Sequence, residues 1–199
     1  MKKLNNIVII LMLIVNTGCI GLTLLGKYNS NILVCLSLYL IVFLPKIIRK
    51  FSSKINELIE LIFLLFILFA QLLGSILHFY GIIYWYDSFM HYISGILTSF
   101  LAVLLLVIFN KYDEKDRLFN VIFIISITLM VAGLWEIFEF TVDNLLGGDA
   151  QRVIATGVTD TMKDIICALL GSVLFSFCYL YECVKDKKFL IKEFIKKLI

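Results

Sequence analysis

Asp87 and His91 stand four residues apart, Glu136, Glu139 and Asp143 follow at spacings of three and four, and Asp160 and Asp164 are again four apart. On an α-helix each of these sets shares one face. Carboxylates and an imidazole grouped in this way support two kinds of chemistry. They can bind a divalent cation, with oxygen ligands suiting magnesium, manganese or calcium and histidine admitting zinc or iron. They can also carry protons, because histidine titrates near neutral pH and buried carboxylates shift towards it. His91, Glu136, Glu139 and Asp164 are the expected acid/base groups. Asp87, Asp143, Asp160 and Arg152 are the expected substrate-binding groups, Arg152 by engaging a phosphate or carboxylate. Glu136, Glu139 and His91 form the expected metal set, and a divalent cation is the cofactor such a set would take.

Each residue also has a plainer role. Asp160 can cap the helix that follows it, and Asp164 one turn in can be stabilised by the helix dipole. Asp143 and Asp149 flank the Gly147-Gly148 turn and can serve as loop acids. Arg152 can be a salt-bridge partner for the acids, and His91 a buried, hydrogen-bonded histidine. His78, beside Phe79 and Tyr80, fits an interfacial aromatic belt with Tyr84, Trp85 and Tyr86.

The elements that must position these groups are membrane-spanning. The chain has 199 residues, 61% of them hydrophobic, and one proline; its mean hydropathy is +1.00. Soluble domains run nearer about 45–50% apolar. The excess sits in blocks of about 17–22 residues, the length a helix needs to cross roughly 30 Å of hydrocarbon. Six blocks emerge, at 7–25, 28–44, 58–77, 89–109, 119–140 and 161–181, the second closed by Pro45. The expected fold is all-α, a polytopic transmembrane bundle of about six spans forming a single integral membrane domain over 1–199. The apolar run after Lys2-Lys3 continues past Cys19 and is too long for a cleaved leader, so it is expected to be a retained first span. The five cysteines form no Cys-x-x-Cys pair and read as small buried apolar residues. The mixed segment from Lys46 to Phe51 is expected along the membrane surface. The C-terminal stretch from Lys185 to Ile199 has the same character.

Charge placement orients the bundle. With six spans, fifteen of the 18 lysines and arginines fall on one side, leaving Lys27, Arg152 and Lys163 opposite. The positive-inside rule puts the rich side, with both termini, in the cytoplasm. The acidic and histidine groups then fall at the outer ends of the last three spans. An acid in a span costs on the order of 2.5–3.5 kcal/mol near the helix centre. Such acids should face one another, a watery cavity or a cation, with some pKa values raised. The expected partners are the lipid bilayer and a lipid or cell-envelope precursor. No nucleic-acid partner is expected.

Taken together, Tyr86-Asp87-x3-His91, Glu136-x2-Glu139-x3-Asp143 and Gly157-x2-Asp160-Thr161-x2-Asp164 resemble the YjdF-like family of small bacterial membrane proteins. More distantly, Gln151, Arg152, Asp164 and Gly171 are similar to the late Gln–Arg–Asp–Gly string of VanZ-like proteins, with stretched spacing. The resemblance covers Tyr86 to Gly171. It implies a bacterial inner-membrane protein with an outward-facing polar site, and the VanZ-like link implies the cell envelope. Three readings follow: a site handling an envelope component or lipid headgroup, a cation or proton translocator using the same acids, and a structural or accessory subunit. A relay would need Asn16, Glu60 or Gln71 to continue its path. The small face of Cys167, Ala168 and Gly171 would let another helix approach closely, within the protomer or between subunits.

Overall fold

The computed structural model describes residues 1–50, 56–186 and 189–198. Phe51, Lys54, Lys187, Lys188 and Ile199, which enter the basic and apolar segments above, lie outside the described residues. Among the described residues the chain is helical, with no strand. Its helices are α1 (Lys2–Leu24), α2 (Ile32–Ile41), α3 (Leu44–Ile48), α4 (Glu57–Ile67), α5 (Phe79–Ile82), α6 (Tyr86–Ile108), α7 (Arg117–Leu146), α8 (Val153–Thr156), α9 (Thr159–Val184) and α10 (Leu190–Leu198).

Five of the described helices are long and apolar enough to cross a membrane: Lys2–Leu24, Glu57–Ile76, Tyr86–Ile108, Arg117–Leu146 and Thr159–Val184. The second expected span is met by the shorter apolar stretch Ile32–Ile48. It is broken, and not where proline chemistry alone would stop a helix. Helix α2 ends at Ile41, and Pro45 lies in the first turn of α3. There its missing N–H has no helical partner to lose and its fixed φ suits the helix. The third span changes character partway, running from α4 into a π-helix over Leu68–Ile76.

The chain forms two compact units, Met1–Asp87 and Ser88–Ile199. In the first, Ile9, Met12, Cys35, Leu38, Leu64 and Leu72 make up much of a buried cluster. Its polar residues tie helix to helix. Asn16 donates to the Cys35 carbonyl (2.8 Å) and Gln71 to the Val34 carbonyl (2.9 Å) and the Ser37 hydroxyl (2.7 Å). Glu60, 2% exposed, meets Arg49 Nη1 at 3.2 Å. Asn31 and Asn56 cap α2 and α4, each accepting from two backbone N–H groups. None of the five cysteines is in a disulfide.

In the second unit α7 and α9 pack along their lengths, and α6 crosses α9 with almost no space between them. A Cβ on Gly95 would collide with the Ala168 carbonyl, and one on Gly171 with the Tyr92 carbonyl. The glycines of both helices therefore let their backbones touch, the arrangement that holds helices together where lipid removes the hydrophobic incentive. Below the crossing, Phe100 packs edge-on against Phe175 at 4.7 Å between ring centres. Asn120 donates to Tyr179 Oη at 2.8 Å.

The last helix differs from its expected membrane-surface character. Ile191, Ile195 and Leu198 are buried, Ile191 and Ile195 in the same cluster as Phe175 and Tyr179. Phe194 stacks edge-on against Phe100 at 5.1 Å. Glu182, in the last turns of α9, accepts from the backbone N–H of Ile191 (3.1 Å) and Lys192 (2.8 Å), so the end of one helix caps the start of the next. Lys192 Nζ bonds Glu114 (2.7 Å) and Asp186 (2.9 Å). Those bonds, the Glu114 bond foremost, raise the Lys192 pKa above its ordinary value. A raised lysine contributes its full stabilisation below the unfolded pKa and loses it only as pH climbs through the folded one. The tie should hold at neutral pH and loosen only in strong alkali. Glu182→Ala removes the cap and should cost α10 about 1–2 kcal/mol of docking. Faster tryptic cleavage of the tail, with the melting of the rest little changed, is the expected result. An unchanged cleavage rate would mean that the apolar face alone holds α10.

Candidate functional site

Helices α6 and α9 begin, and α7 ends, at one end of the second unit, and the expected chemical groups gather there. The boundary between the two units falls inside α6, just after Asp87, so the helix itself sets Asp87 one turn ahead of His91. Both are half-buried. Asp164 is 4% exposed, and its Oδ2 lies 3.7 Å from His91 Nε2. Asp87, His91 and Asp164 each offer a ligand atom, and the three atoms lie within 4.8 Å of one another.

One turn before Asp164 on α9 is Asp160, also buried. It is not the cap. Val158 occupies that position, and Asp160 sits inside the first turn, where the helix dipole favours a negative charge. Its Oδ2 is 3.9 Å from Nε of the half-buried Arg152. Arg152 takes a left-handed φ of 51° immediately before α8, a backbone region costly for a residue with a Cβ.

Helix α7 supplies the third part. It runs to Leu146, past the expected end at 140, and stops where Gly147 adopts φ 72°, the left-handed C-cap that glycine adopts readily. The loop then returns. Asp143 accepts from the backbone N–H of Ala150 through Oδ1 (2.8 Å) and of Gln151 through Oδ2 (3.1 Å). Asp149 accepts from Ile154 N–H at 3.2 Å. Both acids thus have the loop-building role open to them from sequence. The fold they create tucks Gln151 inward, 8% exposed. Its Nε2 lies 3.1 Å from both the Glu136 carbonyl and Glu136 Oε2, and 3.3 Å from Thr161 Oγ1.

Glu136 and Glu139, expected to act together, have different hydrogen-bond partners. Glu136 is buried beneath the Gln151 amide, whereas Glu139 accepts from Trp135 Nε1 at 3.0 Å on a more exposed side of α7. Among the described residues a close-set trio of possible metal ligands is Asp87, His91 and Asp164, which shares His91 with the expected set of Glu136, Glu139 and His91. Gln151 and Thr161 are the polar neighbours that residue chemistry did not single out as site groups. Gln151 was legible only as part of the Gln151-Arg152 string. His78 lies in the first unit, its Nε2 2.7 Å from the Asn29 carbonyl and its ring against Tyr28.

The chain matches the model of DUF2238, described as predicted membrane protein, over residues 6–185. It belongs to that family. The DUF2238 match takes in helices α1 to α9 almost entirely, so the gathered polar groups lie within it and α10 lies outside. The apolar helices and the family together make this a multi-pass membrane protein. It is also similar to an uncharacterized protein of Thermotoga maritima, 31% identical over 132 residues that cover 65% of this chain and 66% of the relative. The aligned region thus spans about two thirds of that relative's length. No solved structure matches the chain.

Proposed function

We propose that this DUF2238 protein handles a cell-envelope component or lipid headgroup at a polar site where α6 and α9 begin and α7 ends. The observation that carries the reading is the burial of ionisable groups from separate elements at one helix end. Glu136, Asp160 and Asp164 are each no more than 6% exposed, with half-buried His91 and Arg152 beside them. Charged side chains at membrane depth are costly, and where they persist they line sites and pathways. In this reading His91, Glu136, Glu139 and Asp164 serve acid/base steps. Asp87, Asp143, Asp160 and Arg152 place the substrate, Arg152 meeting a phosphate or carboxylate from its partly exposed position. The protein is taken as one integral membrane domain of six spans in a bacterial inner membrane. Both termini are cytoplasmic and the site faces outward, as the lysine and arginine distribution and the YjdF-like motif set suggest.

The translocator reading has less support. Asn16, Glu60 and Gln71, which would continue a relay, are each engaged in ties between helices of the first unit. A purely structural role would leave the site indifferent to ligand, and that is testable. In detergent, short-chain phosphatidic acid or phosphatidylglycerol should raise the melting temperature more than phosphatidylcholine does. At a hundredfold excess over Kd the stabilisation is about 2.7 kcal/mol. Arg152→Gln should abolish the headgroup difference. Equal shifts for all headgroups, or an effect unaltered by Arg152→Gln, would sink the proposal. For orientation, a cysteine placed at exposed Ala155 in a cysteine-free background should react with an impermeant maleimide added to intact cells. Reaction only after lysis would reverse the assigned sidedness.

A further inference from the structure

The polar site contains a smaller constellation whose chemistry is narrower than acid/base work. Asp87 and His91 lie on one face of α6, and Asp164 comes from α9. Their three ligand atoms span no more than 4.8 Å. Ligand atoms bound to one tetrahedral ion at about 2.0–2.2 Å lie about 3.3–3.6 Å from one another. His91 Nε2 and Asp164 Oδ2, 3.7 Å apart, already stand near that spacing, and the widest gap in the trio closes by side-chain rotation of roughly an ångström. We propose that Asp87, His91 and Asp164 hold one divalent transition-metal ion, of the zinc, manganese or iron(II) class, within the polar site. The inference rests on the reading of that site as functional.

Three features favour this ligand class. One nitrogen and two oxygens form a mixed set that suits zinc, iron and manganese, whereas calcium and magnesium take oxygen ligands. Two carboxylates neutralise the ion's double charge, which makes its placement beside the hydrocarbon affordable. The framework is also fixed in advance. His91 lies four residues before Gly95, and Asp164 four before Ala168, and these are the residues at which α6 and α9 touch backbone to backbone. The contact one turn away sets the distance between the ligands, so little ordering remains to be done on binding. Three protein ligands leave positions open for water or an oxygen of an anionic substrate, the pattern of a catalytic and not a closed structural site.

The test uses the full-length protein in detergent, stripped with a chelator and titrated with Zn²⁺ and Mn²⁺ by calorimetry, and with Co²⁺ by absorption. One ion per chain is expected, with cobalt d–d bands that change in His91→Gln. Asp164→Asn should weaken binding by more than about a hundredfold, beyond what loss of an outer-shell partner causes. Asp87→Asn removes a second oxygen ligand at a half-buried position near the start of α6, and a melting curve beside each titration reports whether the variants are folded. Glu139→Gln should leave stoichiometry and spectrum unchanged. Absence of stoichiometric binding, or binding lost in Glu139→Gln but kept in Asp87→Asn and His91→Gln, overturns the inference. The headgroup-dependent melting shift, measured on the same stripped protein, separates the two readings. If that shift persists while no ion binds, the metal assignment falls alone. If an ion binds through the trio and no headgroup is preferred, the metal assignment stands and the lipid reading falls.

Discussion

Gly171→Ala and Gly95→Ala are expected to be among the most damaging single-methyl changes available in this chain. The added Cβ would meet backbone in both cases, the Tyr92 carbonyl for Gly171 and the Ala168 carbonyl for Gly95. A flexible side chain could swing aside. A helix backbone can relieve the overlap only by moving the whole helix. Overpacking typically costs about 1–3 kcal/mol where side chains can adjust, so these variants should reach about 3 kcal/mol or more. Gly133→Ala provides the opposite sign. Nothing lies within 4 Å of its added Cβ, and alanine is favoured over glycine inside a helix by about 0.5–1 kcal/mol. Melting or denaturant titration in mild detergent should show Gly133→Ala at or above wild type and the other two well below it. Small losses at Gly95 and Gly171 would show that α6 and α9 can separate cheaply. The preorganised spacing of His91 and Asp164 would then lose its basis.

Arg49→Met should be more harmful than removing both partners of the Arg49–Glu60 pair. Glu60 is 2% exposed and meets Arg49 Nη1 at 3.2 Å, while Arg49 keeps a third of its side chain exposed. Deleting one partner of a buried pair costs about 3–5 kcal/mol, because a charge is left without compensation. The partial exposure of Arg49 gives water some access and lowers the expectation to about 2–3 kcal/mol. In Arg49→Met/Glu60→Gln no charge remains, and most of that loss should be recovered. A double-mutant cycle in melting experiments measures this directly. If the double variant is no better than Arg49→Met, the pair matters through something other than charge compensation. Because Glu60 is then a structural acid, the result also bears on a relay passing through it.

Much of the architecture could be read from the residues. The apolar blocks gave the helices, since hydrocarbon demands that a spanning segment satisfy its own backbone and present apolar side chains all round. The small face of Cys167, Ala168 and Gly171 announced a close approach. It did not say to what. That the partner is α6 at Tyr92 and Gly95 depends on how two helices cross, which composition along one helix does not encode. The spacing of Asp87 and His91 likewise placed them on one face, because a helix fixes neighbours four residues apart.

Other features were decided by tertiary contacts. Glu136 and Glu139 are three residues apart and share a stripe, yet at 3.6 residues per turn their directions still differ by about 60°. That offset is enough for Glu136 to lie under Gln151 while Glu139 turns to Trp135. The third member of the ligand trio could not be chosen from periodicity, because Asp160, Asp164, Glu136 and Glu139 all satisfied it equally. Only the crossing of α6 and α9 brings Asp164 to His91. Pro45 marked the close of the second block, but whether a proline ends one helix or opens the next depends on where the preceding turn closes. The mixture of lysines and apolar residues in the tail pointed to the membrane surface. An amphipathic pattern fits a lipid surface and a protein surface equally well, and the Glu182 cap with the Lys192 ion pairs selects the protein. The sequence by itself determined the helices, their membrane character and the residues able to do chemistry. The tertiary structure decided which of those residues meet, because proximity between helices is set by the few positions where their backbones can touch.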